Sequence, residues 1–245
     1  TMFAFFSILL LNFGDFSRYA KDKNHLNKGN LSLILNLILF SLFAVLLTLG
    51  ADIIINSNVA QPERFLTNPT DIIGKIDNTF LTIVSVIFIL FASVSTNLIA
   101  NYVPSQNSLL NLLPKNLSLK SSGFLIVFFG FFVGLFWLPI FSQMGILSVV
   151  DTVGAVFGPI FGIIVADYYL IRNQNIVNKD IFSSDFNSSY YYSSGWQIKG
   201  IYSLLIGFIF SASTIWNPSL SFLQSFSWLI GGFVSWFTYY LLASE

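Results

Sequence analysis

The sequence has no cysteine, one histidine and few charged residues, and each shortage excludes a class of function. Without cysteine there is no disulfide, no thiol nucleophile and no thiolate metal site. The only histidine, His25, lies in a basic stretch, so a histidine-based metal or acid/base site within an apolar segment is absent. Eleven Lys and Arg balance eleven Asp and Glu, which argues against nucleic-acid binding, because phosphate neutralisation requires a basic excess.

Apolar residues fill most of the chain instead. Hydrophobic residues make up 55% of the sequence, 28 of them Phe, and charged residues only 9%, whereas an ordinary soluble domain carries about 25% charged residues. We therefore predict an all-α, polytopic membrane protein whose surroundings are the lipid bilayer. A single transmembrane domain over residues 1–245 is expected, with seven spans at approximately 1–19, 31–55, 80–101, 123–141, 146–172, 198–216 and 221–242.

The distribution of basic residues predicts how these spans are oriented, because short cytoplasmic loops collect Lys and Arg. Two basic residues, Arg64 and Lys75, fall on one side of the predicted membrane. The other side, which we assign to the cytoplasm, holds Arg18, Lys21, Lys23, Lys28, Lys115, Lys120, Arg172, Lys179 and Lys199. The first span then runs from outside to inside, so we expect more chain before Thr1 and treat the sequence as a fragment.

Polar residues within the predicted spans indicate functional positions, since Asp at a helix centre costs about 2.5–3.5 kcal/mol to insert. In the first span, Asn12 lies deep and Gly14 predicts a helix break, a feature that exposes ligand-binding backbone groups in transporters. An equally good interpretation is that Asp15 and Arg18, three residues apart, form an ion pair at the membrane interface.

The third span carries the densest polar cluster. Ala92, Ser95 and Thr96 share one helix face, where two hydroxyls and a carbonyl could converge on a hard cation. Asn97 and Asn101, four residues apart on a neighbouring face, could bind a ligand that is both hydrogen-bond donor and acceptor. The alternative is that these small and hydroxyl-bearing residues hold membrane helices together, which the pattern alone favours.

The fifth span contains a stripe of glycines and a proline. Gly154, Gly158 and Gly162 recur every four residues, which favours close helix packing over a functional role. Pro159 predicts a bend that could act as a gate. Asp151 and Asp167 are expected near the two ends of this span, at the interfaces rather than buried.

Three stretches resemble the nucleobase:cation symporter family, which includes hydantoin, allantoin, uracil and cytosine permeases. They are NFGDFSRYAK from Asn12, FASVSTNLIANYVPSQNSLLNLLPK from Phe91 and GPIFGIIVADYYLIR from Gly158. The resemblance covers essentially the whole chain but corresponds to the later part of a twelve-span member. It implies a LeuT-type fold of five plus five inverted repeats followed by two peripheral helices, with spans six to twelve present here.

The resemblance also assigns roles to residues. It implies that sodium is held by oxygens of Ala92, Ser95 and Thr96, and that Asn101 binds the substrate. The family's substrate-stacking tryptophan falls on Phe6, which keeps an aromatic face but loses the indole donor. The remaining ion carbonyls and a second stacking aromatic belong to spans that precede this chain.

The function that follows is symport of a small planar nitrogen heterocycle with sodium across the plasma (inner) membrane. Asn101 and Asn97 would bind ring amides, Phe6 would stack, and Gly14 and Pro159 would be gates. No cofactor is expected beyond the coupling ion, and the expected partners are the substrate and the missing N-terminal half. A proton-coupled permease is the alternative, followed by a channel or structural subunit. An enzyme is not expected, because no nucleophile with a base and no metal cluster is evident.

Overall fold

Apolar runs long enough to cross a bilayer form α-helices, because only a helix satisfies its backbone hydrogen bonds within one segment. The structure is a computed structural model that describes residues 2–56, 69–181, 183 and 185–244. No β-strand occurs among these described residues. The α-helices are α1 (Met2–Leu11), α2 (Phe13–Ser17), α3 (Lys23–Asn56), α4 (Pro69–Gly74), α5 (Thr79–Asn97), α6 (Val103–Leu112), α7 (Leu119–Phe132), α8 (Leu138–Met144), α9 (Ile146–Ala166), α10 (Asn178–Ile181), α11 (Ile198–Trp216) and α12 (Ser227–Ala243).

Six helical stretches in the described part of the chain are long and apolar enough to span a membrane. They are Lys23–Ile54, Thr79–Leu112, Leu119–Met144, Ile146–Ile171, Ile198–Trp216 and Pro218–Ala243. They coincide with predicted spans two to seven, so the predicted polytopic helical architecture is confirmed. The first predicted span forms α1 and α2 instead, because the helix is interrupted at Asn12.

Helix α3 extends beyond its predicted span at the N-terminal end, and the helical stretch from Thr79 to Leu112 extends beyond its predicted span at the C-terminal end. Helix α3 begins at Lys23 rather than near Leu31, since the carboxylate of Asp22 accepts a hydrogen bond from the backbone N–H of His25 at 2.9 Å. Such an N-cap satisfies one of the donors left free at a helix start. Helix α5 begins similarly, with the Asn78 side chain accepting from the Leu81 N–H.

Two prolines follow short π-helical segments that let the helix continue. Segments Leu98–Tyr102 and Val133–Trp137 each end two residues before a proline, Pro104 and Pro139. In each case the residue just before the proline donates its N–H to the carbonyl five residues back. A proline ring ordinarily clashes with the carbonyl four residues earlier, and the wider π-turn relieves that clash. A third π-segment, Asp167–Ile171, extends α9.

The chain divides into two compact units, and one consists of residues 1–13 and 115–245. Its centre is a bundle of α9, α11 and α12, with α1 against α9. Glycines allow close approach: a Cβ at Gly158 would lie 2.4 Å from the Trp228 carbonyl oxygen, and one at Gly162 only 2.0 Å from the Gly232 oxygen. The glycine stripe is therefore a packing surface, which confirms that interpretation of the sequence.

Buried serines link the bundle helices further. Ser235 of α12 donates its hydroxyl to the Pro159 carbonyl at 2.9 Å, and Ser211 of α11 donates to the Ser227 carbonyl at 2.7 Å. Small residues and hydroxyl hydrogen bonds are the means by which membrane helices associate where lipid removes the hydrophobic drive. Pro159 is itself buried, and α9 continues through it.

The other unit comprises residues 14–114 and contains α2 to α6. Its two long helical stretches, α3 and the continuous helix from Thr79 to Leu112, have no buried residue in their most apolar windows. Large aliphatic and aromatic side chains are exposed all along both. That these two units together form one transmembrane domain stays a prediction.

Candidate functional site

The polar cluster of the third predicted span lies where α5 passes into the π-segment Leu98–Tyr102. Asn97 ends α5 and Asn101 lies inside the π-segment. The Asn101 amide nitrogen donates to the Asn97 side-chain oxygen at 2.5 Å, and the Asn97 amide nitrogen donates to the Ser93 carbonyl at 2.8 Å. The structure thus brings both predicted substrate-binding amides together, on a helix distortion of the kind frequent at functional sites.

The candidate ion ligands lie one turn earlier on the same helix. The Ser95 hydroxyl donates to the Ala92 carbonyl at 3.0 Å, so two of the three proposed oxygens are adjacent. Thr96 follows directly on α5, and all three residues are exposed. Carbonyl and hydroxyl oxygens are ligands that a hard cation accepts. A shallow groove of about 350 Å³ runs past this region, lined by Ser93, Val94, Asn97, Leu98 and Tyr102.

These polar groups do not join helices within their own unit. Their hydrogen bonds described above all run to the same helix, and Ser93, Ser95, Thr96, Asn97 and Asn101 are exposed. The sequence pattern favoured a role in holding helices together. That role and the proposed ligand binding both stay predictions.

Phe6, the candidate stacking residue, belongs to the other unit. It lies on α1 and is partly buried. Its neighbour Ser7 is fully buried and accepts a hydrogen bond from the indole N–H of Trp228. The structure therefore fixes the helix face beside Phe6 against the bundle.

The two proposed gates have different local structures. The interruption between α1 and α2 is at Asn12 rather than at Gly14, which lies inside α2 with open space around it. The helix is therefore interrupted at Asn12 and not at Gly14. Arg18 and Asp15 form an ion pair of 3.8 Å, as the alternative interpretation of this motif expected. Pro159 does not interrupt α9. Gating at Gly14 and Pro159 stays a prediction.

Asp151 is buried, which corrects the expectation that it lies at an interface. Its exposed fraction is 1%, and its carboxylate accepts from the Gln224 amide at 3.2 Å. Gln224 belongs to the 3₁₀-helical segment Pro218–Phe226, which precedes α12. The sequence placed Asp151 close to the outer end of a span, and no local signal indicated that another segment folds over it.

A polar network lies at the opposite end of α9, where the predicted cytoplasmic side begins. The Asp167 carboxylate accepts from the Arg172 Nε–H and from the Tyr239 hydroxyl, each at 2.7 Å. Tyr239 in turn accepts from the Gln197 amide at 3.1 Å. The sequence pointed to Asp167 beside Arg172 but gave no indication of Tyr239, which is 72 residues away.

Arg172 is the centre of this network. Its guanidinium also donates to the Tyr192 hydroxyl and lies 4.3 Å from the centroid of the Tyr190 ring. Partial burial disfavours the charged guanidinium, but the hydrogen-bonded Asp167 carboxylate more than offsets this and raises the pKa of Arg172. Burial of the Tyr192 hydroxyl disfavours its ionised form and raises the pKa of Tyr192. Both groups are therefore held in their ordinary charge states, as expected of a structural contact.

Among the described residues, no group of three His, Asp or Glu side chains could hold a metal ion. This absence concerns carboxylate and imidazole ligands only. It leaves the hydroxyl and carbonyl oxygens of Ala92, Ser95 and Thr96 as candidate ligands for an alkali cation.

Comparison with known proteins identifies relatives along nearly the whole chain. Residues 1–239 match a family described as permeases for cytosine/purines, uracil, thiamine and allantoin. A purine-uracil permease of Arabidopsis thaliana is 30% identical over 95% of this chain and 40% of its own length. An allantoin permease of Bacillus subtilis is 28% identical, with 96% of this chain and 46% of its own length covered.

A hydantoin permease of Microbacterium maritypicum is 25% identical over 58% of this chain and 28% of its own length. No solved structure gives a significant match. The chain thus spans less than half the length of the curated relatives it matches.

Proposed function

Because the chain belongs to the family of permeases for cytosine and purines, uracil, thiamine and allantoin, we propose that it is part of a secondary active symporter for a small planar nitrogen heterocycle. The transporter resides in the plasma (inner) membrane, and sodium is the coupling ion. The family consists of permeases rather than enzymes, in agreement with the sequence analysis. A preceding segment of the same protein supplies the first five spans of a five-plus-five inverted repeat.

The observation that carries this proposal is the asparagine pair at the π-segment. Asn97 and Asn101 lie one turn apart on an apolar helix, with their side chains hydrogen-bonded to each other. Each amide has donors and an acceptor, so the pair can exchange its mutual hydrogen bond for bonds to a ring that carries adjacent N–H and C=O groups. Such exchange stabilises the bound ring while leaving neither amide unsatisfied when the ring departs.

Sodium binds at the oxygens of Ala92, Ser95 and Thr96 in this proposal, and Phe6 stacks on the ring. The Ser95 hydroxyl and Ala92 carbonyl are already adjacent at 3.0 Å. Coupling follows if substrate and ion each favour the same conformation, since each then raises the affinity for the other. Gly14 and Pro159 provide the flexibility for opening and closing.

The test is uptake by the full-length protein. Labelled allantoin, hydantoin, uracil and cytosine are offered with and without a sodium gradient, and we expect saturable uptake of at least one that depends on sodium. Thr96→Ala should raise the sodium concentration needed for half-maximal uptake. Thr82→Ala is the matched control, because Thr82 lies on the same helix outside the proposed ion site and its hydroxyl donates to the Asn78 carbonyl. Uptake of none of the four, or equal behaviour of the two variants, would contradict the proposal.

A proton-coupled permease is the second candidate, and Asp151 favours it. A buried carboxylate in a membrane helix is a common site for a transported proton, and Asp151 is almost fully buried beside Gln224. Uptake that follows a pH gradient without sodium, and that Asp151→Asn abolishes, would support proton coupling over sodium. Accumulation against a gradient would separate either symporter from a channel.

A further inference from the structure

Helix α1 is held to the bundle by a hydrogen bond between its centre and the last helix of the chain. The indole N–H of Trp228 donates to the Ser7 hydroxyl oxygen at 2.7 Å, and that hydroxyl donates to the Phe3 carbonyl at 2.7 Å. Ser7 is fully buried and Trp228 is 7% exposed. Since an unsatisfied buried indole N–H or hydroxyl is costly, the two residues fix one another in place.

Packing on both sides of this bond restricts rotation of α1 about its own axis. The Trp228 ring stacks on Phe3 with centroids 5.4 Å apart and planes 23° from parallel, and it meets Phe161 of α9 at 5.4 Å. Next to Ser7, Ala4 rests directly on Gly154, where a Cβ would come within 2.2 Å of the Ala4 Cβ. A turn of α1 in either direction would break the hydrogen bond or drive Ala4 into α9.

Phe6 lies at the edge of this fixed face. Successive residues of an α-helix are about 100° apart around the axis, so Phe6 flanks Ser7 on the side away from Ala4. Side chains reach about 5–6 Å from a helix axis, so a rotation of about 20° moves a ring by about 2 Å. Aromatic rings interact with centroids about 4.5–7 Å apart, so a displacement of about 2 Å is large enough to weaken stacking on a bound ring. The direction of the Phe6 ring therefore depends on what holds Ser7.

We propose that Trp228 is a positioning residue for Phe6, through its hydrogen bond to Ser7, and that the last helix thereby sets how tightly a planar ring is bound. The role of Phe6 as the stacking residue rests on the proposed function. Trp228 is almost fully buried and acts through its bond to Ser7. Its effect is on the orientation of α1, so it changes the affinity for substrate and leaves the transport cycle otherwise intact.

The first test separates affinity from turnover in the full-length protein. Trp228→Phe keeps an aromatic ring against Phe3 and Phe161 but removes the N–H, and Ser7→Ala removes the acceptor. Each should raise KM for the heterocycle about fivefold, the value of one neutral hydrogen bond, with Vmax nearly unchanged. The double variant should be no worse than either single variant, since both remove the same bond.

The matched control is Trp236→Phe on the same helix. Trp236 stacks on Phe233 at 5.8 Å, and the indole that bonds Ser7 is that of Trp228, so replacing Trp236 removes an indole N–H without removing that bond. KM should stay at the wild-type value. An equal KM change in Trp236→Phe, a loss of Vmax alone, or additive effects in the double variant would overturn the positioning role.

The second test does not depend on transport. The chain has no cysteine, so Phe6→Cys, in a full-length protein freed of any other cysteine, reports the accessibility of that position to a maleimide. Adding Trp228→Phe or Ser7→Ala should change the labelling rate about fivefold, and adding Trp236→Phe should not. An unchanged rate in both would overturn the proposal. If the wild type carries no heterocycle, the proposed function fails, while labelling still decides whether Trp228 orients position 6.

Discussion

The α9–α11–α12 bundle and the long helices of residues 14–114 are similarly apolar but differ in how they pack. Between 28% and 39% of the most apolar window of each bundle segment is buried, against none in α3 or in the helix from Thr79 to Leu112. The bundle presents glycines and serines at its contacts, whereas large aliphatic and aromatic side chains are exposed along both long helices of the other unit. Within the bundle, small residues therefore allow a close approach of helices that hydropathy alone does not distinguish from the others.

The two units also differ in the hydrogen-bond partners of their polar side chains. In the bundle, Ser211 and Ser235 donate to carbonyls of neighbouring helices and are buried. In the other unit, Ser95 and Asn97 bond only their own helix in the contacts described above and are exposed. Hydroxyls and amides of the same kind thus bond neighbouring helices in one unit and their own helix in the other.

The largest expected effect comes from adding one methyl group to the bundle. Gly162→Ala places a Cβ 2.0 Å from the Gly232 carbonyl oxygen and 2.8 Å from the Ser235 hydroxyl, so α9 and α12 must separate. We expect the free energy of unfolding in detergent to fall by about 2–3 kcal/mol, measured by thermal or denaturant unfolding of the full-length protein.

Gly50→Ala of α3 is the control, because nothing lies within 4 Å of its added Cβ. Alanine favours helix over glycine by about 1 kcal/mol, so this variant should be neutral or slightly more stable. If Gly162→Ala were stabilising as well, the close approach of α9 to α12 would be wrong.

The second prediction concerns the exposed amides. Asn101→Leu removes a hydrogen-bonding group from the proposed substrate site, and the bond lost is to Asn97 of the same helical stretch. Uptake at limiting substrate should fall about 10- to 100-fold, as for loss of hydrogen bonds to a bound ring, while thermal stability stays unchanged. Asn36→Leu in α3 is the control, since Asn36 also bonds a carbonyl of its own helix, that of Ser32. A loss of stability instead of uptake would assign Asn101 to packing.

The helices could be predicted from the sequence because each apolar run must satisfy its own backbone in lipid. The residues at which the helices begin and end could not be predicted, because they depend on capping hydrogen bonds and π-turns that hydropathy does not reveal. The cap by Asp22 starts α3 eight residues before the predicted span, and the π-turn before Pro104 carries the third helix on to Leu112. The helix continues past Pro104 because the preceding turn widens into a π-turn.

The candidate site was only partly predictable, because spacing within one helix can be read from the sequence and contacts between distant segments cannot. Asn97 and Asn101 stand out because their spacing within one helix is visible in the sequence. The burial of Asp151 and the contact of Trp228 with Ser7 join residues 73 and 221 positions apart. No periodicity within one helix indicates such pairs, which arise only when the small residues of α9 let its neighbours come close.

A smaller effect is expected at the end of the bundle where Asp167 lies. Tyr239→Phe removes the hydroxyl that donates to Asp167 and accepts from Gln197. Loss of a hydrogen bond to a charged group should lower the unfolding free energy by about 1.5–3 kcal/mol if the site stays dry, and by less if water replaces the hydroxyl. Tyr240→Phe, at the neighbouring exposed position, should have no effect. Equal stability of the two variants would show that the network contributes nothing to the bundle.

The smallest effect concerns the start of α3, where a local contact rather than packing stabilises the helix. The backbone N–H of His25, and then its ring, hydrogen-bond the Asp22 carboxylate and lower the pKa of Asp22 below its ordinary value. A lowered folded-state pKa means that the stabilisation is present above the unfolded value of about 3.9 and is lost as pH falls through the folded pKa. Amide hydrogen exchange in the first turn of α3, measured in detergent, should therefore accelerate when the pH falls below about 4. The acceleration should exceed both the intrinsic effect of pH on exchange and the change seen for amides of the bundle.

Asp22→Asn keeps a capping side chain without a titrating group, so the protection of the first-turn amides in this variant should not change with pH in that range. If the wild type and Asp22→Asn gave the same pH profile, the cap would not depend on the carboxylate charge.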